Sequence, residues 1–116
     1  MLPSSMHSIV LTTVPDADTA RSISERLLER RLAACANSFA VSSDYRWRGK
    51  MEHADEVMVL CKIRKEDFDE VRSEIEELHP YETPCIELLD VSDCNRPCVE
   101  WVRDSTAGRR ADSGHR

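Results

Sequence analysis

Glu52-His53-Ala54-Asp55-Glu56-Val57-Met58-Val59-Leu60-Cys61-Lys62-Ile63 is the stretch that decides the fold. Its apolar, β-branched centre reads as a strand. Alternate side chains of a strand point to opposite faces. Val57, Val59, Cys61 and Ile63 therefore form one row, and Met58 and Leu60 stand in the other. Both rows are apolar, so both faces of the sheet need cover. Lys62 interrupts the second row. An ammonium among apolar neighbours calls for a carboxylate, and Glu56 and Glu82 are the candidates.

Upstream, Leu32-Ala33-Ala34-Cys35-Ala36-Asn37 begins a second strand region that continues through Phe39, Val41, Tyr45 and Trp47. Gly49-Lys50 reads as the turn, so these two strands make one long hairpin. Residues 7–14, His-Ser-Ile-Val-Leu-Thr-Thr-Val, form an earlier strand that Pro15-Asp16 ends. Asp16 is a good N-cap, and Ala20, Ile23 and Leu27 give the following helix its apolar stripe. Downstream, Phe68, Val71, Ile75 and Leu78 recur at threes and fours, which predicts a helix over about 66–78. Residues 85–91 read as a fourth strand. A short helix follows from about Arg96, with Pro97 in its first turn and Val99, Trp101 and Val102 on its inner side.

The element order is βαββαβ with a short C-terminal helix, an α+β chain with the ferredoxin-like pattern. That pattern places both long helices on one face of a four-stranded antiparallel sheet. A sheet with one wet face should alternate apolar and polar residues, and strands one, three and four do not. Each aliphatic side chain taken out of water is worth roughly 1.5–3 kcal/mol. The second face is therefore expected to pack against other copies of the chain. One domain is expected over residues 7–105, after an extension over 1–6 and before a disordered polar tail over 106–116.

Composition narrows the classes. Hydrophobic residues make up 41% of the 116, too many for a disordered chain. The net charge of −6 argues against nucleic acid as a partner. No apolar run approaches the roughly 18 residues of a membrane span, and the N-terminus lacks the charged region and cleavage site of a signal peptide. Five cysteines, an odd number, suggest reduced thiols in a cytoplasmic protein. Cys94 and Cys98 are four apart, but no second pair completes a zinc site, and an inert or partly exposed role is expected for both.

His79-Pro80-Tyr81-Glu82-Thr83-Pro84 is a stiff corner between the second long helix and the last strand. It presents an imidazole, a phenol and a carboxylate. Imidazole and thiolate suit copper or zinc, with carboxylate acceptable. His79, Glu82 and Cys85 are close in sequence, and Cys35 could approach from strand two. The plainer alternative is that His79 closes its helix, Glu82 pairs with Lys62, and Cys35 is a small buried hydrophobe. Lys62 reads equally well as an anion contact in a cleft and as half of an internal ion pair. No nucleophile elbow, phosphate-binding glycine motif or oxyanion hole is visible, so no enzymatic activity and no required cofactor are expected.

Taken together, Leu32–Asn37, Tyr45-Arg46-Trp47-Arg48-Gly49-Lys50, Glu56, Lys62 and His79–Pro84 resemble the CutA family of divalent-cation tolerance proteins, over about His7 to Arg103. The resemblance implies a ferredoxin-like protomer in a tight homotrimer reminiscent of the PII signalling proteins. It implies a link to copper tolerance and divalent-metal binding, no established enzymatic activity and, in animals, a connection with membrane anchoring of acetylcholinesterase. Cys35, Lys62, His79, Tyr81 and Glu82 would lie near clefts between protomers. A metal set of His79, Glu82, Cys35 and Cys85, a ligand cleft of Lys62, Tyr81 and Glu56, and trimer contacts at Tyr45, Trp47 and Trp101 are the resulting expectations. A second function is a PII-like signalling module that takes a small anionic ligand and an unidentified partner protein. The chain departs from the family pattern at Cys85, where Glu is usual, at Ile63, where Thr is usual, and at Cys98, where an aromatic is frequent. The change at Cys85 replaces a hard oxygen donor by a soft sulfur.

Overall fold

The first strand, β1 (His7–Val14), stops at Pro15, and Asp16 caps the helix that follows, α1 (Ala17–Glu29). The Asp16 carboxylate accepts from the Thr19 N–H at 2.8 Å and from the Thr19 hydroxyl at 2.7 Å. At the other end Arg31 takes the left-handed conformation, with φ 55°. This lets the Leu32 N–H reach the Leu27 carbonyl at 2.9 Å and the Arg31 N–H reach that of Leu28 at 3.1 Å. That pair of bonds closes the helix and turns the chain into the next strand. The remaining elements are β2 (Ala33–Trp47), β3 (Lys50–Arg64), α2 (Phe68–Leu78), β4 (Ile86–Asp90) and α3 (Arg96–Ser105). These come from a computed structural model that describes residues 6–108. The extension expected over 1–6, apart from Met6, and the polar tail from 109 onward lie outside the described residues.

The sheet is antiparallel with strand order β2-β3-β1-β4, and the fold is ferredoxin-like. The helix that the sequence predicts from about residue 66 opens with a separate 3-10 turn, Lys65–Asp67. The hairpin turn is Arg48-Gly49, one residue earlier than the sequence suggests. Both residues have positive φ, 52° and 79°. This is the two-residue turn whose twist matches its strands.

Cross-strand pairs show which side chains share a face. Val10 sits opposite Cys61 and Leu88, and Val14 opposite Val57. Val59, Cys61 and Ile63 join Val10 and Val14 beneath Ile23 and Leu27 of α1 and Val71 and Ile75 of α2, and all nine are buried. The other row holds Ile9, Leu11, Met58, Leu60, Lys62, Cys35, Phe39 and Leu89. One extra residue sets this arrangement. Ala33 pairs with Ile63 and Cys35 pairs with Lys62, so Ala34 is a bulge. From Cys35 on, the odd-numbered residues of β2 face away from α1 and α2.

The chain itself roofs one end of that second face. Arg64 continues the Met58–Leu60–Lys62 row and reaches α3. Its Nε donates to the Thr106 hydroxyl at 2.8 Å and its Nη2 to the Arg103 carbonyl at 2.6 Å. Val99 and Val102 are buried there, apart from the main core. Thr106, where the polar tail was expected to start, is itself buried and donates to the Val102 carbonyl at 2.8 Å. The expectation that sister copies must cover the whole second face is thus narrowed, because α3 covers its base. Beyond the last β1 pair, Val14 with Val57, residues 41–47 and 50–56 run on as a two-stranded arm. The arm carries exposed Tyr45, Trp47 and Met51.

Candidate functional site

The corner between α2 and β4 joins three parts of the molecule. The His79 N–H still bonds to Ile75 at 2.8 Å, and Pro80 then holds His79 extended, with φ −80° and ψ 127°. The ring turns inward and is buried. Its Nε2 donates to the Thr13 carbonyl at 2.9 Å, and its Nδ1 accepts from the Tyr81 N–H at 3.3 Å. Both nitrogens of this imidazole are engaged. The Tyr81 ring stacks obliquely on it, 4.8 Å between centroids.

The Tyr81 hydroxyl donates to Glu56 Oε2 at 2.5 Å. Glu56 is buried at the root of the arm, one residue beyond the last β1–β3 pair. Burial, and then the hydrogen bond and charge of Glu56, raise the Tyr81 phenol well above its ordinary pKa. Glu82 turns outward and meets Arg48 at the arm's tip, Nη2 to Oε2 2.8 Å. Arg48 lies over the Trp47 ring at 5.3 Å. The corner thus clamps the body through His79, the arm's root through Tyr81 and its tip through Glu82. Partway along the arm the Asp44 carboxylate holds His53 at 2.7 Å and raises its pKa above 6.5.

This geometry separates the metal set expected from the sequence. Cys35 sits opposite Lys62 at the base of the sheet, whereas Glu56 marks the corner end. Glu56 and Lys62 share a row of β3, roughly 20 Å apart at about 3.4 Å per residue. Within one chain Cys35 cannot join His79, Glu82 and Cys85. Cys85 is exposed just before β4, and the Cys35 thiol donates to the Asn37 amide oxygen at 3.5 Å. The same separation corrects the ion pairs weighed for Lys62. Glu82 pairs with Arg48 and Glu56 accepts from Tyr81, while Lys62 is half-buried between Ile9 and Cys35 with no ion pair among the described residues. Tyr45, Trp47 and Trp101 are all substantially exposed.

Three ligating side chains do converge elsewhere. The ligand atoms of His7, Cys94 and Cys98 lie within 4.8 Å of one another. Burial lowers the His7 pKa, helped by the nearby Lys62 charge. The Cys94 thiol is raised by burial and by its neighbour Cys98. The sequence suggests an inert or partly exposed role for the two cysteines, which are half-buried, and no ligand role for His7. The available signal was pairing. Ser8 lies opposite Asp90, so the chain leaving β4 passes the start of β1.

Residues 8–105 match the family model described as CutA1 divalent ion tolerance protein. The chain is 38% identical over 100 residues to a divalent-cation tolerance protein CutA of Archaeoglobus fulgidus, an alignment that covers 86% of this chain and 98% of that one. The solved structure of an Archaeoglobus fulgidus CutA, described as periplasmic, superposes with a TM-score of 0.85, covering 87% of this chain and 99% of that one at 38% identity. The Thermus thermophilus structure gives 0.84 at 37% identity, covering 88% and 100%. Human CutA is 33% identical over 85% of this chain and 56% of its own length. No helix among the described residues is long and apolar enough to cross a membrane. With its fold and nearly all of its length matched in these ways, the chain belongs to the CutA family of divalent-ion tolerance proteins.

Proposed function

We propose that this chain works as a homotrimer that binds divalent metal of the copper or zinc type and serves divalent-cation tolerance. One observation carries the assembly: past the cover of α3, the second face of the sheet is apolar and no element among the described residues lies over it. Phe39 is 50% and Leu89 47% exposed, with Ile9, Leu11, Met58 and Leu60 half-covered beside them. Apolar surface of this extent and continuity marks an interface. The arm supports the same reading, because an isolated two-stranded hairpin is marginal in water. Tyr45 and Trp47 on the arm, and Trp101 on α3, are the aromatic anchors such a contact would use. A neighbour's Cys35 is the donor that could then approach another copy's Cys85 and Glu82. The five free cysteines favour a reducing, cytoplasmic setting.

The test is mass by light scattering across a concentration series, followed by calorimetric titration with Cu(II) and Zn(II). A monomer at micromolar concentration would sink the assembly. Equal affinities for wild type and His79→Ala would remove His79 from the ligands and leave it as the clamp described above.

A second reading, the PII-like signalling module, draws on Lys62. A half-buried ammonium with no ion pair among the described residues suits a small anionic ligand at the mouth of a cleft, with Tyr81 and Glu56 at the cleft's far end. Thermal shift against a panel of metals and of nucleotides and small organic anions separates the two readings. A shift with anions that Lys62→Met abolishes favours the second.

A further inference from the structure

His7 is the first residue of β1, and only 2% of its surface is exposed. Its Nδ1 is sealed from solvent and has no hydrogen-bond partner among the described residues. A sealed polar nitrogen without a partner is costly, and native folds seldom leave one without a reason. His7 Nδ1 contrasts with His79, whose two nitrogens are both satisfied. What stands beside His7 is a pair of thiols. Cys94 lies just before Asn95, the N-cap of α3, and Cys98 lies in that helix's first turn.

The backbone explains why the three meet. Antiparallel pairing of β1 with β4 brings the start of β1 beside the chain leaving β4. Asn95 and Pro97 then start α3 so that its first turn returns over the same spot. The side chain of Asp93 fixes this passage by accepting from the Cys94 N–H at 2.8 Å.

We propose that His7, Cys94 and Cys98 form a metal site within a single chain, one that takes a thiophilic d10 cation such as Zn(II) through two sulfurs and one imidazole nitrogen. The donor types are those zinc prefers, and a Cys-x3-Cys spacing falls within the range that structural and catalytic zinc sites use. Three protein donors leave one position for solvent or an exchangeable ligand. A surface hollow lined in part by His7, Ser8, Lys65, Asp90 and Asp93 adjoins the site. On binding, each cysteine gives up its S–H proton to solvent and one S–metal bond forms at each sulfur, with no change in oxidation state. The site needs no second copy of the chain and none of the corner residues, so it goes beyond the clefts proposed above.

The experiment uses the full chain, reduced and stripped of metal, titrated with Co(II) as a spectroscopic probe and then with Zn(II) in competition. It is run on Cys35→Ser, Cys85→Ser protein, so that no sulfur of the proposed clefts contributes. The expected result is one equivalent per chain and thiolate-to-cobalt charge-transfer absorption that Zn(II) displaces. Adding Cys94→Ser and Cys98→Ser should abolish the absorption, and adding His7→Gln should weaken binding at least about tenfold. Because His7 is buried and its variant could fail to fold, alkylation gives an independent readout. Zn(II) should protect Cys94 and Cys98 in that protein. Absorption that persists without Cys94 and Cys98 but vanishes without Cys35 or Cys85 would overturn this site and leave the cleft reading intact. A Cys94–Cys98 disulfide with no metal uptake after reduction would also overturn it. Metal bound at this site by a chain that light scattering finds monomeric would instead uphold the site while the trimer reading fails.

Discussion

At its base, the second face of the sheet lies under α3. Arg64 ties that helix down at Thr106 and Arg103, and Val99 and Val102 are buried beneath it. At the other end the same face runs out onto the arm, where Tyr45 and Trp47 stand open. The strands are shared, so propensity does not distinguish the two ends. What differs is where the cover comes from. At the base it is local in sequence, a ten-residue helix that follows β4 directly. At the arm no element among the described residues supplies it. A chain can thus finish one half of a surface by itself and leave the other half as a demand for a partner.

A charge on the open row breaks the comparison most sharply. Leu60→Glu sits beyond α3 and should abolish self-association, seen as a fall to monomer mass by light scattering with the far-ultraviolet circular dichroism retained. An unchanged mass would mean that the bare end is not an interface. Under the roof the effect should be of a different kind. Val102→Ala removes two methyl groups from a fully buried site and should destabilise the fold by about 1–3 kcal/mol in urea unfolding, with mass unchanged.

Smaller effects sharpen the contrast at the arm. Arg48 occupies a left-handed position that costs a non-glycine residue about 1 kcal/mol, against an exposed ion pair to Glu82 worth about 0.5 kcal/mol and a contact over the Trp47 ring worth about 0.5 kcal/mol. Arg48→Gly should therefore leave stability nearly unchanged in chemical unfolding. A loss of more than about 1 kcal/mol would show that the clamp on the arm's tip outweighs the strain. The smallest effect concerns His53. Its pKa is raised above 6.5 by Asp44, so the pair's contribution is complete below the unfolded value and fades as pH rises through the folded one. Asp44→Asn should return the ring titration, followed by NMR, toward 6.5, and an unmoved midpoint would show that the pair does not form in solution.

The pattern of the sequence made most of the fold legible. Asp16 announced its helix, Pro80 ended another, and the twin apolar rows of β3 announced two faces in need of cover. Those signals are local, and local periodicity was enough. The candidate site was less legible because its contacts close long loops. Nothing near Glu82 points to Arg48 across the arm, and nothing near Lys62 reveals that both carboxylates weighed for it lie at the far end of its strand. His7 and Cys94 stand at opposite ends of the fold's sequence, and only strand pairing brings them together. The position of α3 was missed for a related reason. Its inner side was visible in Val99 and Val102, whereas Trp101, read with them, turns outward and is 47% exposed, and no periodicity says against which face a terminal helix will lie.

Ala34 is an odd residue in a strand that otherwise counts in twos. Keeping that residue but ironing out the bulge would bring Ala34 opposite Lys62 and reverse the parity of everything from Cys35 to Trp47. Phe39, Val41 and Tyr45 would change sides with Ser38, Ala40 and Asp44, and Lys62 would lose Cys35 for an alanine. One bulge thus works as a phase setting for thirteen positions downstream: the composition of the arm would be untouched, and the message it presents to a neighbour would be written in reverse.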